Sequence, residues 1–138
     1  MRGAAAYPAS IGAAQCCNLI ARIETPSLAL RTERVWCAPW PQFEVVYKNL
    51  TQLHFRAVRV PFDEAFVPRE TQPAEVVEGG RWLTRKPLKQ WSVVLPPAGD
   101  YRTRSHRVSV PQDLPTGLYA LYASPDAAFA DGGAPILW

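Results

Sequence analysis

Apolar and polar residues alternate along most of this chain after Pro26. Leu53, Phe55 and Ala57 alternate with His54, Arg56 and Val58. Trp91, Val93 and Leu95 alternate with Ser92 and Val94. A period of two sends the two sets to opposite faces of a strand. Leu118, Ala120 and Tyr122 share one parity, while Tyr119, Leu121 and Ala123 share the other. That segment is apolar on both faces, which predicts a central strand. The spacing predicts strands at Ser27–Arg31, Glu33–Cys37, Phe43–Lys48, Leu53–Val60, Arg81–Thr84, Lys89–Leu95, Tyr101–Val110, Gly117–Ala123 and Pro135–Trp138.

Helical spacing occurs once, over Ser10 to Ile23. Ser10 is placed to cap it, with Ala13, Ala14, Cys17, Leu19 and Ile20 as its apolar side. Residues 1–22 therefore read as a lead-in or the tail of a preceding helical region, and 23–138 as one β-domain. The 14 prolines forbid long helices and punctuate the strands. Pro96-Pro97-Ala98-Gly99-Asp100 and Asn49–Gln52 read as short links between strand pairs, the former a hairpin loop. The acidic stretch Pro61–Gly80 reads as a long surface loop. Short strands at this spacing predict an all-β fold, an immunoglobulin- or fibronectin-III-like antiparallel sandwich with Greek-key connections and a short helical lead-in.

Composition adds bounds. With 138 residues, 48% apolar and 20% charged, the chain has the size and balance of one globular domain. A net charge of +3 does not argue for nucleic acid. No apolar run approaches the ~20 residues that span a bilayer, which argues against direct membrane insertion. The opening Met1-Arg2-Gly3-Ala4-Ala5-Ala6-Tyr7-Pro8 is broken by proline and lacks bulky aliphatics, unlike a signal peptide. The chain reads as an internal fragment with any export signal elsewhere.

Candidate chemistry is sparse. Ser105, His106 and Asp100 are the residue types of a hydrolase triad, but neighbours on a strand face opposite ways and no G-x-S-x-G elbow is present. His54 and His106 lack a third metal ligand. Asp63 and Glu64, and Glu75 and Glu78, read as solvated loop charges. Gly79-Gly80 lacks the spacing and lysine of a phosphate loop. Catalytic residues, cofactors and metals are therefore all expected to be none. Cys16, Cys17 and Cys37 leave two states open: a bridge from Cys37 to one of the other two, or buried free thiols. Asn49-Leu50-Thr51 is a glycosylation sequon, meaningful only in a eukaryotic secretory pathway. Trp36, Trp40, Trp82 and Trp91 are candidates for a ligand platform, against the alternative that they fill a core or seam.

One motif sharpens the sandwich. Leu114-Pro115-Thr116-Gly117-Leu118-Tyr119 has the form of a tyrosine corner, with the Tyr119 hydroxyl bonding back to upstream backbone. In that reading Gly117 permits the tight corner and Leu114 plugs the sandwich end.

Several phrases together resemble a known family. They are Ile23–Leu30, Val45-Val46-Tyr47-Lys48-Asn49-Leu50, Trp91-Ser92-Val93-Val94-Leu95, Gly99-Asp100-Tyr101-Arg102 and Val110–Tyr119 followed by Ala123-Ser124. In this order they resemble the macroglobulin-type sandwich domains of bacterial α2-macroglobulin-like proteins, over about Ile20 to Trp138. The resemblance implies an exported protein, periplasmic or envelope-associated, that traps proteases. This chain would be a non-catalytic scaffold within it. The family's thioester motif, Cys-x-x-Gln, is absent, since Cys16-Cys17-Asn18-Leu19 and Cys37-Ala38-Pro39-Trp40 both lack the glutamine. Its partners would be neighbouring domains, at a seam near Trp36, Trp40 and Trp138, with target proteases met only through the full-length protein. The alternative is a fibronectin-like module binding carbohydrate or peptide through its tryptophans.

Overall fold

The computed structural model describes residues 10–32, 42–65, 81–97, 99–130 and 132–137, with 135–137 as backbone only. Helix α1 is Ile11–Glu24, and Ser10 caps it by accepting a bond from the Ala13 amide at 3.1 Å. Among the described residues seven strands follow: β1 Ser27–Arg31, β2 Gln42–Lys48, β3 Gln52–Arg59, β4 Lys89–Val94, β5 Arg104–Ser109, β6 Tyr119–Ser124 and β7 Ala134–Leu137. A single-turn helix α2, Phe62–Ala65, follows β3.

The strands form two antiparallel sheets, three-stranded β1-β2-β5 and four-stranded β4-β3-β6-β7. Alternation places Phe43, Val45 and Tyr47 of β2 against Leu53, Phe55 and Ala57 of β3, all buried in one core with Leu121 and Ala123 of β6. The Phe43 and Phe55 rings meet edge to face at 5.3 Å, tying the sheets together. The domain is thus an all-β sandwich.

Every residue of β6 is buried. Its second face is covered by a smaller cluster of Val58, Val60, Trp82, Ala120, Tyr122 and Phe129 on the outside of the four-stranded sheet. This accounts for a strand apolar on both parities, and for Val58 interrupting the polar face of β3.

Three expectations need correction. Arg81–Thr84 is a turn, not a strand, closed by the Arg85 amide bonding the Trp82 carbonyl at 3.0 Å. The turn lets Trp82 drop into the outer cluster. Tyr101 has φ +55, so the run predicted from it begins as a strand only at Arg104. The link Pro96–Asp100 does not close a hairpin but crosses from one sheet to the other, as does Asn49–Gln52, which joins β2 to β3. Both crossings are plugged from inside. Leu50 and Leu95 are buried in the core, and the Tyr47 hydroxyl donates to the Pro96 carbonyl at 3.0 Å. Glu33–Cys37, and most of the Pro61–Gly80 loop, lie outside the described residues.

Candidate functional site

The corner before β6 is the polar feature that the sequence singles out. The Tyr119 hydroxyl donates to the Pro115 carbonyl at 2.5 Å. Leu114 is buried in the main core beneath it. Burial pushes the Tyr119 phenol pKa up, opposed by the nearby Arg59 charge. Gly117 does not have positive φ. A Cβ there would sit 3.3 Å from Arg59 Nε and 3.6 Å from the Tyr119 ring, so what Gly117 supplies is room beside the tyrosine.

Of the tryptophans, two can be placed. Trp82 is buried; its amide donates to the Tyr122 hydroxyl at 3.2 Å and its indole N–H to Glu64 Oε2 at 3.4 Å. Glu64 also takes two bonds from Arg85 Nη2, at 2.8 and 2.9 Å. The Arg85 hydrogen bond holds the Glu64 carboxyl below the ordinary carboxylate range, against the opposing effect of burial. Trp91 is half-buried on the inner side of β4, its ring stacked on Phe55 at 5.2 Å. The Trp82 ring forms no open platform, whereas Trp91 borders a surface hollow. Trp36, Trp40 and Trp138 lie outside the described residues, as do Glu75, Glu78, Gly79, Gly80 and Cys37.

The remaining candidates are dispersed. His54 lies on the outer face of the four-stranded sheet, beside Ser92 and Ser124 in register. His106 lies opposite the buried Val45 on the inner face of the other sheet. Alternation turns Ser105 away from His106. Asp100 takes bonds from the Arg102 amide at 3.3 Å and from Arg104 Nη2 at 3.2 Å. Among the described residues no group of three or more His, Cys, Asp or Glu is placed to hold a metal ion. Cys16 and Cys17 are free and exposed on α1, which corrects the expectation that free thiols would be buried. No helix among the described residues is long and apolar enough to cross a membrane.

Surface hollows occur among the described residues, and two of them bear on these candidates. One of about 310 Å³ lies between Pro26, Ser27 and Leu28 on one side and Pro125, Gly133 and Ala134 on the other, floored by Leu50. The second, about 220 Å³, is lined by His54, Phe55, Gln90, Trp91, Ser92, Ala127 and Phe129. The Arg56 guanidinium stacks beside it on Phe129, 4.2 Å from the ring centroid, and donates to the Ala127 carbonyl at 3.2 Å.

Among the described residues β4 and β5 are edge strands, and they carry a feature that strand patterning alone misses. Arg104 and His106 of β5 pair across from Tyr47 and Val45, so they point inward at the sandwich rim. Lys89 of β4 shares the parity of Trp91 and ion-pairs with Asp113. The inward-pointing Arg104 and Lys89 charges oppose pairing of these edges with another strand, because pairing would strip their water.

Comparison with protein-family models, with curated proteins and with solved structures found no match to this chain.

Proposed function

We propose that this chain is a non-catalytic scaffold domain of the macroglobulin type, serving an exported α2-macroglobulin-like protease inhibitor of the periplasm or envelope. The observation that carries the reading is the tyrosine corner at the start of β6 within a three-on-four antiparallel sandwich. That combination supports an immunoglobulin- or fibronectin-III-like reading of the sandwich, the class that the macroglobulin resemblance implies. The sequence resemblance narrows the class to the family.

The polar groups support a structural role. Glu64, Asp100 and Asp113 are engaged by Arg85, Arg104 and Lys89 in turns and rims. Against the carbohydrate- or peptide-binding alternative, Trp82 is buried in the outer cluster and Trp91 packs in part on the main core, while Trp36 and Trp40 lie outside the described residues.

Trapping can be measured without knowing the target. A trapped endopeptidase keeps its activity on a small peptide and loses it on a large protein, because access is blocked and the active site is not. The polypeptide carrying this domain, isolated from the envelope fraction, is expected to produce that split with a broad-specificity endopeptidase. Equal loss of both activities, or of neither, overturns the proposal.

A further inference from the structure

Helix α1 ends in a way that a loose lead-in would not. The last four carbonyls of an α-helix have no partner within the helix. Here all four are bonded. The Ala21 carbonyl accepts from the Thr25 amide at 2.8 Å and the Thr25 hydroxyl at 2.6 Å. The Arg22 carbonyl accepts from Lys48 Nζ at 2.9 Å. The Ile23 and Glu24 carbonyls both accept from Asn49 Nδ2, at 2.9 Å each. Three of the four thus take their bonds from the β2–β3 corner, about 25 residues on in sequence. The Lys48 ammonium also lies at the negative end of the helix dipole.

Asn49 is set for this task. Its φ is +56, a conformation that asparagine tolerates better than most residues. The corner is held from below by the buried Leu50. Meanwhile Ile11, Leu19 and Ile23 remain 80%, 50% and 40% exposed, so the helix does not lie down on the sandwich through these residues.

We infer that the Lys48–Asn49 corner is a clamp that fixes the direction of α1 relative to the sandwich, making the helix a rigid strut. A helix of 14 residues is about 21 Å long at ~1.5 Å per residue, so a swing of ~20° at its base moves the far end by about 7 Å. Controlling that angle controls where anything joined to the helix sits. The clamp also gives the Asn49-Leu50-Thr51 sequon a structural role, because a glycan on Nδ2 would compete with both bonds. The inference rests on the scaffold reading only for what a fixed strut is for. A clamped helix in a protein that traps nothing would remove that reading and leave the clamp standing.

The test is a distance distribution between spin labels in the full chain. One label goes on native Cys16, with Cys17→Ser and Cys37→Ser; the other goes on Val94→Cys, 76% exposed on β4. The parent is expected to give one narrow distance. Asn49→Gly keeps the positive φ accessible and removes the amide; combined with Lys48→Met it is expected to broaden the distribution about two-fold, with last-turn amides of α1 exchanging roughly ten times faster. Asn49→Asp turns a donor into an anion facing carbonyls and is expected to act more strongly than Asn49→Gly. Circular dichroism of the sheets identifies variants that remain folded. Folded Asn49→Gly and Asn49→Asp variants with the parent's mean distance, width and exchange rates overturn the clamp.

Discussion

The Tyr119 hydroxyl reaches back four residues to the Pro115 carbonyl, so the start of β6 is tied to the turn that delivers it. Both partners come from one hexapeptide, and the bond spans the place where the chain passes from the three-stranded sheet to the four-stranded one. Tyr119→Phe keeps the ring and leaves the carbonyl without this donor. The expected cost is about 0.5–1.5 kcal/mol, the net worth of one hydrogen bond, because this one is only part-buried and water can reach the freed carbonyl of the exposed Pro115. Denaturant unfolding of the variant checks this, and a midpoint within error of the parent would count against the bond.

Gly133 has φ +63, and a Cβ there would lie 3.0 Å from the Ala123 carbonyl oxygen and 3.2 Å from the Phe129 ring. Gly132 also has positive φ, at +80, but open space around it. Gly132→Ala should therefore cost about 1–2 kcal/mol from the backbone alone. Gly133→Ala should cost more, since backbone at 3.0 Å cannot yield as a flexible side chain can. Equal thermal unfolding temperatures for the two variants would show that the close approach to β6 is relieved at no cost.

Trp82 anchors the outer cluster through its ring while its indole N–H and amide are both bonded. Trp82→Ala is expected to destabilise the domain by about 3 kcal/mol or more, within the range for deleting a buried aromatic. An exposed ligand-binding tryptophan would instead tolerate the change. Chemical denaturation distinguishes these outcomes, and a loss below about 0.5 kcal/mol, the range of ordinary surface substitutions, would restore Trp82 as a candidate for binding.

Four carboxylates have pKa values held below their ordinary range, each by a folded-state bond. Asp126 accepts from the Ala128 and Ala130 amides, Asp100 from the Arg102 amide, Asp113 from Lys89 and Glu64 from Arg85. A depressed folded pKa contributes stability above the unfolded pKa, near pH 4 for such groups, and that stability is lost as pH falls through the folded value. Stability is therefore expected to be flat from neutrality to about pH 5 and to fall below it. Asp126→Asn should reduce the acid sensitivity while lowering stability at pH 7. A parent whose unfolding midpoint does not change between pH 6 and pH 3 would contradict these linkages.

Much of the sandwich was legible because burial on one face imposes a period of two. Ser27–Arg31 was placed without error, and six other strands within a few residues of their ends. The corner before β6 was legible because leucine, glycine and tyrosine occur together at local spacing. Arg81–Thr84 misled because its apolar Trp82 and Leu83 serve a cluster outside the main core, and a four-residue run carries too little periodicity to separate a strand from a turn.

What the sequence determined by itself is therefore local: which segments are strands, which faces are apolar, and that β6 has two buried faces. Only the tertiary structure decided which sheet each strand joins. Alternation is blind to partners, so Asn49–Gln52 and Pro96–Asp100 look like turns between neighbours and are in fact crossings between layers. The same limit hid the use of Asn49. Its side chain meets carbonyls about 25 residues away, at Ile23 and Glu24. No pattern of local spacing encodes a hydrogen bond that exists only after α1 and the β2–β3 corner have been brought together.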